Sequence, residues 1–310
     1  MNAKTERAES LLRAACGERL RTEVPMAPLT TFRIGGPAAL FLEPEQDGDL
    51  AAVAGAVKET GIPVVVLGKG SNVLVSDLGF DGLVLRLGRG YRWAARDGVV
   101  LTAGGAMPLP ALSGVAFHHG LSGLEFGVAI PATIGGAVRM NAGAHGGSMS
   151  DVVRSIEVYR IGAGRRETIP AEAATFAYRR SGLPRDGVVV GVKIELHGGA
   201  AEEIRAEMES ARAWRRDTQP LAEPNCGSVF KNPQGDHAAR LIEVAGGKGR
   251  RVGGAAVSMK HANFIVAETG AQAIDALTLI RDLQDLVESE TGIRLEPEVQ
   301  LVGEFDRAPR

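Results

Sequence analysis

The 310-residue sequence is poor in cysteine and in net charge, and it contains no long uninterrupted apolar run. Its two cysteines, Cys16 and Cys226, are too few for a disulfide framework or a structural zinc site, so we expect a reducing, cytoplasmic setting and no metal. The net charge of −2 argues against a nucleic-acid or anionic-membrane partner. The longest uncharged apolar stretch, residues 126–138, is too short for a membrane helix and is interrupted by proline and glycine. Residues 1–13 contain five charged side chains and no apolar core of signal-peptide length.

What remains is the composition of an ordinary globular protein, with 45% hydrophobic and 23% charged residues. Helical and strand-like patterns follow one another without regular βαβ alternation, which favours an α+β fold. Residues 274–291 predict a long amphipathic helix, and 293–302 predict a final strand. A strongly charged helix over 202–216 marks a domain boundary. We therefore predict three parts, 1–85, 86–210 and 211–310.

Glycine is abundant, with 41 residues, and residues 129–147 are the most unusual stretch. This stretch contains five glycines, no carboxylate and a single arginine, Arg139. A backbone without Cβ atoms can lie flat against a planar or phosphorylated ligand. A glycine-rich surface loop is the alternative, but Ile130, Ile134 and Val138 are too apolar for a solvated linker.

A second glycine-containing turn, Gly-Lys-Gly-Ser-Asn at 68–72, follows an apolar run at 62–67 that predicts a buried strand. A dinucleotide fingerprint needs a third glycine and a helix at once, whereas Val73 begins another strand-like run. The spacing of a phosphate loop of the Walker type is absent as well. The turn is either an anion-binding nest of backbone N–H groups or a tight hairpin with no ligand.

Three later segments place polar residues within apolar surroundings. Tyr178-Arg179 is either functional or a snorkelling surface pair. Ser228 and Lys231 lie three residues apart between glycine and proline, and Glu296 and Glu298 have the period of a strand. A paired-carboxylate glycosidase is conceivable from the glutamates alone. For the adjacent His118 and His119 we expect one packed and one exposed ring rather than a metal or flavin attachment site.

Taken together, these segments resemble the UDP-N-acetylenolpyruvoylglucosamine reductases, flavoenzymes that make UDP-N-acetylmuramate for bacterial peptidoglycan. Residues 257–264 are similar to the shorter second type of this family. The resemblance spans about residues 20–304 and rests on the following segments in order: 30–36, 67–74, 130–146, 178–179, 227–233, 253–264 and 295–299.

The resemblance implies an α+β fold with a two-subdomain FAD-binding unit of the vanillyl-alcohol oxidase type and a C-terminal α+β substrate-binding domain. FAD would be bound non-covalently, with residues 68–72 around its pyrophosphate and residues 130–146 along the adenine-side phosphates and the flavin. The implied cofactor contacts are Gly68, Lys69, Gly70, Ser71, Asn72, Pro131, Thr133, Gly135, Gly136, Asn141 and Gly143.

The resemblance also implies a hydride relay from NADPH through FAD to C3 of the enolpyruvyl ether. Arg179 and Glu298 match the family's groups that stabilise the carboxylate and enolate, with the glutamate protonated. Ser228 matches the proton donor to C2, and Lys231 is our own candidate for its helper. The implied substrate contacts are Tyr178, Lys231, Asn232, Lys260 and His261.

For several basic residues, and for the function as a whole, the sequence allows more than one interpretation. Lys248, Arg250, Arg251 and Lys260 either meet the diphosphate of the substrate or are solvated loop charges. Ala129, Ala132 and Gln300 depart from the family's usual residues. The alternatives are a flavin oxidase of the same fold class and a non-catalytic nucleotide-sugar binding module. We expect small-molecule partners only, and a monomer.

Overall fold

The computed structural model describes residues 2–305 and confirms the predicted α+β class. The described chain forms two compact units. The first consists of the chain up to Thr22, Leu40–Lys69 and Gly82–Arg215, and the second consists of Glu23–Ala39, Gly70–Asp81 and the chain from Arg216 onward. The three-part division at residues 85 and 210 stays a prediction.

The helices follow the patterns of the sequence closely. Their bounds are α1 Ala3–Cys16, α2 Asp47–Thr60, α3 Leu109–His118, α4 Ile134–Arg139, α5 Met149–Val152, α6 Ala201–Thr218, α7 Ala238–Val244 and α8 Ala273–Thr291. Within residues 2–305, no helix has the length and apolar character needed to cross a bilayer.

The strands are mostly short. Their bounds are β1 Leu20–Pro25, β2 Pro37–Leu42, β3 Val64–Val66, β4 Val73–Val75, β5 Phe80–Leu85, β6 Ala94–Asp97, β7 Val100–Gly104, β8 Leu121–Ser122, β9 Gly143–Ala144, β10 Gly147–Ser148, β11 Val153–Arg160, β12 Arg165–Pro170, β13 Gly187–Glu195, β14 His197–Gly198, β15 Arg251–Val252, β16 Ala255–Val257, β17 Ile265–Ala267 and β18 Gln300–Val302.

The first unit contains a five-stranded antiparallel sheet of order β12-β11-β13-β7-β6. Its central strand β13 is rich in valine and is buried along most of its length, as expected for a strand covered on both faces. Leu112 of α3, Val138 of α4 and Val192 of β13 belong to one hydrophobic cluster. This packing fixes α4, which lies inside the glycine-rich stretch, against the sheet.

A second sheet has the order β1-β2-β5-β3, in which β3 and β5 are parallel. Helices α1 and α2 contribute Leu12 and Val53 to a cluster with Leu83 of β5. Helix α2 begins with a reciprocal capping box between Gln46 and Asp49. The contact of Val53 with this cluster sets α2 against the sheet, and strand β3 of the same sheet leads into the turn at 68–72.

The second unit is built around α8, whose predicted apolar face is confirmed. Leu277, Ile280 and Leu283 are buried in a cluster with Phe230. Asp77 accepts hydrogen bonds at the start of α8 from the N–H groups of Ala273, at 2.7 Å, and Ile274, at 3.0 Å. Strands β15-β16-β17 form an antiparallel sheet, and β18 pairs in parallel with β4.

Three sequence-based expectations are wrong in detail. The turn at 68–72 does not close a hairpin, because β3 pairs with β5 whereas β4 pairs with β18. Of the predicted strand at 293–302 only Gln300–Val302 is regular, since Pro297 cannot donate to a ladder and makes a single bridge with Phe230. His118 and His119 are both exposed, because they lie at the end of α3 and project from its last turn.

Candidate active site

A pocket of about 440 Å³ in the first unit is lined by residues 141–150 and 176–179. The first of these segments comes from the glycine-rich stretch, and the second includes Tyr178 and Arg179. The sequence-predicted residues Asn141, Gly143, Tyr178 and Arg179 are therefore brought together around one cavity.

The glycines of the first segment permit close backbone packing. A methyl group at Gly143 would lie 2.7 Å from the carbonyl oxygen of Gly147, and one at Gly147 would lie 2.7 Å from the ring of Phe126. At Gly146, with φ +85°, nothing lies within 4 Å of the missing Cβ position. Packing within the protein therefore leaves no room for side chains at Gly143 and Gly147. The glycines let the backbone form part of the pocket wall, where a flat ligand such as a flavin would fit.

The other predicted cofactor residues of this unit lie around the start of α4. The hydroxyl of Thr133 accepts a hydrogen bond from the N–H of Gly136 at 3.3 Å. A methyl group at Gly68 would lie 2.7 Å from the Thr133 Oγ1, and one at Gly135 would lie 3.2 Å from the carbonyl oxygen of Gly105. Gly68 and Thr133, 65 positions apart in the sequence, are therefore neighbours, with Pro131 two residues before the cap.

Asn141 is buried and has a left-handed backbone, with φ +42°. Its Nδ2 donates to the carbonyl oxygen of Ala177 at 3.1 Å, and its Oδ1 accepts from the N–H of Ser150 at 2.9 Å. Asparagine tolerates this backbone region better than most residues. Its amide is engaged with protein backbone on both sides, so it joins the two walls of the pocket.

Arg179 also has a left-handed backbone, with φ +56°, at the tip of a short turn closed by Ala177 and Arg180. Its Nη1 donates to the carbonyl oxygen of Gly143 at 2.9 Å, and its guanidinium carbon lies 5.1 Å from the centre of the Tyr178 ring. An arginine in this region is strained by roughly 1–2 kcal/mol. The half-buried guanidinium is thus part of the pocket wall rather than a snorkelling surface group.

The second unit brings Asn72, Ser228 and Glu298 to one edge. The N–H of Glu298 donates to the carbonyl oxygen of Val229 at 2.7 Å, next to Ser228. The Nδ2 of Asn72 donates to the Glu298 carbonyl oxygen at 3.2 Å. The parallel pairing of β4 with β18 brings Asn72 and Glu298 together, because β4 begins directly after Asn72 and β18 begins two residues after Glu298.

The remaining loop residues support the same edge. Gly70, with φ +68°, accepts at its carbonyl oxygen from the N–H of Thr31 at 3.0 Å. A methyl group at Gly227, with φ +77°, would lie 3.5 Å from the carbonyl oxygen of Ser71. Lys69 is exposed. In the second unit, therefore, the turn at 70–72 lies beside the Ser228 segment.

The four predicted substrate residues in the second unit, Lys231, Asn232, Lys260 and His261, all have polar contacts within the protein. Lys231 forms an ion pair with Glu296 at 2.5 Å. The Oδ1 of Asn232 accepts from the N–H of Ala238 at 3.0 Å. The ammonium group of Lys260 donates to the Arg216 carbonyl oxygen at 2.6 Å.

His261 has a defined protonation state. Its Nδ1 accepts from the N–H of Asn263 at 3.2 Å, and its ring packs edge-on against Phe264 with centroids 4.8 Å apart. Burial lowers the pKa of His261, while the charge of Glu243 opposes that shift. The ring is therefore neutral at pH 7, and its proton is on Nε2, which makes His261 a donor.

Sequence reasoning missed several residues that shape the site. Cys226 is fully buried, and burial together with the nearby charge of Glu298 raises its pKa to about 12, so its thiol stays neutral. The backbone N–H of Ser150 donates to the Asn141 side chain, and the hydroxyl of Ser181 donates to the Arg139 carbonyl oxygen. Neither serine has a recognisable sequence pattern. Arg139 did have a signal, as the single cation in an apolar, glycine-rich stretch.

Comparison with known proteins places these segments in a family context. A family model described as an FAD binding domain matches residues 38–169. A second model, the UDP-N-acetylenolpyruvoylglucosamine reductase C-terminal domain, matches residues 219–302. The two models cover the pocket segment 141–150 and the Ser228–Glu298 edge, respectively.

Whole-chain relatives agree with the family models. A UDP-N-acetylenolpyruvoylglucosamine reductase from Anaeromyxobacter sp. (strain Fw109-5) is 47% identical over 298 residues, which is 94% of this chain and 93% of the relative. The enzyme of that name from Heliobacterium modesticaldum is 48% identical and covers 90% of both chains. The crystal structure of the UDP-N-acetylenolpyruvylglucosamine reductase from Thermus caldophilus superposes with a TM-score of 0.80 at 37% identity, covering 91% of this chain and 99% of that one.

Proposed function

The chain belongs to the family of UDP-N-acetylenolpyruvoylglucosamine reductases, and we propose that it reduces UDP-N-acetylenolpyruvoylglucosamine to UDP-N-acetylmuramate, with FAD as cofactor and NADPH as hydride donor. The observation that supports this best is the pocket wall itself. The glycine-rich strip at 143–147, in the segment that matches the FAD-binding model, accepts a hydrogen bond from the guanidinium of Arg179 through the Gly143 carbonyl oxygen. A flat cofactor and an anion-binding group would then share one cavity.

The glycines at 143, 146 and 147 and the close approach of Gly68 to Thr133 fit FAD. A side chain at Gly146 would enter the open space of the pocket, and one at the other three positions would force segments apart. The residues that would hold the cofactor are Gly68, Lys69, Gly70, Ser71, Asn72, Pro131, Thr133, Gly135, Gly136, Asn141 and Gly143. When bound, FAD supplies the hydride transfer that links NADPH with the enolpyruvyl group. The protein would orient the cofactor and supply charged groups, and its glycines would leave room for the ligand.

Arg179 would stabilise the negative charge that builds up on the substrate carboxylate as C3 gains a hydride. Its guanidinium is always charged and already fixed by one bond to Gly143, so little reorganisation is needed. Loss of such a group costs roughly a hundred- to a thousandfold in turnover. Tyr178, stacked beside it and half exposed, would contact the substrate.

Ser228 would donate a proton to C2, which completes the addition of a hydride and a proton across the double bond, and would then recover its proton from water. Glu298, in its protonated form, would assist by donating a hydrogen bond to the charge that develops. Lys231 forms an ion pair with Glu296, so its ammonium group is already engaged, and its role as helper of Ser228 stays a prediction.

The sugar nucleotide would be bound by Tyr178, Lys231, Asn232, Lys260 and His261. Of these, His261 offers a neutral Nε2–H donor, which suits an uncharged acceptor such as a uracil or sugar oxygen better than a phosphate. Lys231 and Lys260 supply positive charge at half-buried and exposed positions, respectively.

We also propose that the protein acts as a monomer in the cytoplasm. The two cysteines are both free and buried, in keeping with a reducing compartment, and the net charge of −2 gives no basic surface excess for nucleic acid or anionic lipid. Light scattering of the purified protein tests the monomer directly, and a mass of twice 32.5 kDa would contradict it.

The decisive experiment is an anaerobic titration followed by visible absorption. NADPH should bleach a yellow protein, and the enolpyruvyl sugar nucleotide should then restore the colour. Recovery only after air is admitted would identify a flavin oxidase instead. A colourless protein, or a flavin that NADPH does not reduce, would identify a non-catalytic binding module.

A further inference from the structure

Arg139, at the C-terminal end of α4, directs its guanidinium into the loop that follows the Arg179 turn. Its Nη1 donates to the carbonyl oxygens of Leu183 and Pro184 at 3.0 and 2.9 Å, and its Nη2 donates to that of Gly187. One planar group therefore holds three backbone carbonyls of a loop more than 40 residues away in the sequence. A guanidinium is suited to this task because its donors have a fixed fork geometry.

The positive charge of Arg139 has no direct carboxylate partner among these contacts. Asp186 is the nearby acid, and it accepts from the Nε of Arg160 at 2.8 Å and from the N–H of Gly162 at 3.0 Å. Burial lowers the pKa of Arg139, but an arginine keeps its proton at any physiological pH. The desolvated charge is thus offset by the backbone carbonyl dipoles, which favours a single position of the loop.

The loop in turn bonds back to Arg139. The hydroxyl of Ser181 donates to the Arg139 carbonyl oxygen at 2.8 Å. The N–H of Gly182 donates to the carbonyl oxygen of Ala174 at 2.7 Å. The strained residue Arg179 lies within segment 174–182, which the second of these bonds closes, in the turn formed by Ala177 and Arg180.

We propose that Arg139 is a positioning residue for the proposed reaction: its guanidinium fixes the loop at 181–187 and, through Ser181, keeps Arg179 aimed into the pocket. The inference rests on the proposed function, in which Arg179 meets the substrate carboxylate. Arg139 itself makes its contacts with backbone rather than with the pocket. It acts on the reaction only through the conformation of the Arg179 turn.

Arg139→Lys is the informative variant, because it keeps the charge and loses the fork. A lysine is a point donor and cannot hold all three carbonyls in the same geometry. A displacement of about 1 Å at a catalytic group is sufficient for a loss of about a hundredfold. We expect turnover with the enolpyruvyl substrate to fall about 10- to 100-fold, while the rate of flavin reduction by NADPH and its KM change less than about twofold. Arg185→Ala, which removes an exposed arginine from the same loop, is the matched control and should behave as wild type.

The coupling between the two arginines is tested by a double-mutant cycle. If Arg139 acts through Arg179, the double variant Arg139→Lys/Arg179→Ala should be no slower than Arg179→Ala alone. Losses that simply multiply would overturn the proposal, because they would show that Arg139 acts on the reaction independently of Arg179.

Hydrogen exchange on the purified holoprotein gives a readout that does not depend on activity. Amides in peptides covering 177–182 should exchange about tenfold faster in Arg139→Lys than in Arg185→Ala, with no change in β11 or α8. Equal exchange rates would overturn the proposal even if wild type proved to be an active reductase. Conversely, a wild-type protein that does not reduce the sugar nucleotide would defeat the proposed function and leave this test intact.

Should Arg139→Lys fail to fold, Ser181→Ala is the second variant, because it removes only the hydrogen bond from Ser181 to the Arg139 carbonyl oxygen. It should give the same pattern of faster exchange at smaller amplitude. If exchange over 177–182 is unchanged in Ser181→Ala, the proposal is equally overturned.

Discussion

Two buried asparagines, Asn141 in the first unit and Asn263 in the second, each support the segment that carries a proposed catalytic residue, but in different ways. Asn141 bridges two separate segments, Ser150 and Ala177, from a left-handed backbone. Asn263 makes both of its side-chain bonds to a single residue, accepting from the N–H of Phe230 at 2.9 Å and donating to its carbonyl oxygen at 2.8 Å.

The backbone segments that carry Ser228 and Arg179 differ in a similar way. Near Ser228 the backbone is held by backbone hydrogen bonds, since the N–H of Val229 donates to the carbonyl oxygen of Asn263 and that of Glu298 donates to the carbonyl oxygen of Val229. Near Arg179 the chain is irregular and strained, and side chains hold it. The reacting group of the second unit should therefore be separable from its scaffold, whereas in the first unit chemistry and scaffold depend on the same residues.

The largest effect that tests this difference is expected for Ser228→Ala. Reoxidation of the reduced protein by the enolpyruvyl substrate should slow by about a hundred- to ten-thousandfold, because general acid catalysis is lost. Reduction by NADPH should be unchanged, and the thermal midpoint should stay within about 2 °C. Stopped-flow absorption follows both half-reactions. The control Ser289→Ala removes an exposed serine of α8; an equal loss in both half-reactions of Ser228→Ala would contradict the assignment.

Gly70→Ala and Gly68→Ala compare a backbone contact with a side-chain contact in the same turn. A methyl group at Gly70 would lie 2.4 Å from the Leu29 carbonyl oxygen, on a residue with φ +68°, whereas the one at Gly68 meets only the rotatable hydroxyl of Thr133. We expect Gly70→Ala to lower the free energy of unfolding by about 2–4 kcal/mol and Gly68→Ala by about 1 kcal/mol. Urea unfolding measures both. The reverse order would show that side-chain contacts, not backbone contacts, limit how closely this turn packs.

These two glycines also illustrate how much the sequence can predict. The apolar periodicity of α8 and the valine-rich run of β13 determine their own burial, so both elements were predictable from local pattern. The segments around Gly70, Ser228 and Glu298 were recognisable as functional from the family resemblance. Their mutual proximity was not, because it depends on the parallel pairing of β4 with β18, in which paired residues such as Val73 and Gln300 are 227 positions apart in the sequence.

Residues that act through isolated hydrogen bonds were the hardest to predict. Ser150 and Ser181 have neither periodicity nor an unusual neighbour, and only their partners' positions in space give them a role. Asn141 was predicted as a cofactor contact, which stays a prediction, and its structural bonds to two backbone groups were not foreseen. Pro297 was read as part of a strand edge, but its missing N–H leaves a single bridge instead.

Asn141→Asp and Asn263→Asp provide a smaller and more direct comparison of the two supports. Each replaces a donor by a carboxylate oxygen that faces a backbone carbonyl, Ala177 or Phe230, at a buried position. We expect losses of about 1–3 kcal/mol in unfolding free energy for both. Turnover of the folded enzyme should fall more in Asn141→Asp, because Asn263 only reinforces pairing that the backbone already makes. Steady-state kinetics well below the unfolding midpoint measure this, and equal losses of turnover would remove the distinction between the units.

The smallest expected effect concerns His261, which supports the Asn263 segment by accepting its N–H. Burial lowers the pKa of this histidine in the folded state, and the facing charges are Glu243 and Lys248, which pair with each other at 2.8 Å. The unfolded chain therefore binds a proton more readily than the folded one as pH falls below about 6.5, so this contribution to stability is present at neutral pH and is lost toward acid. The midpoint of urea unfolding should differ more between pH 7.5 and pH 5.5 in wild type than in His261→Gln. The control variant His118→Gln, which changes an exposed histidine, should match wild type. An identical pH dependence in His261→Gln would show that protonation of this ring does not loosen the second unit.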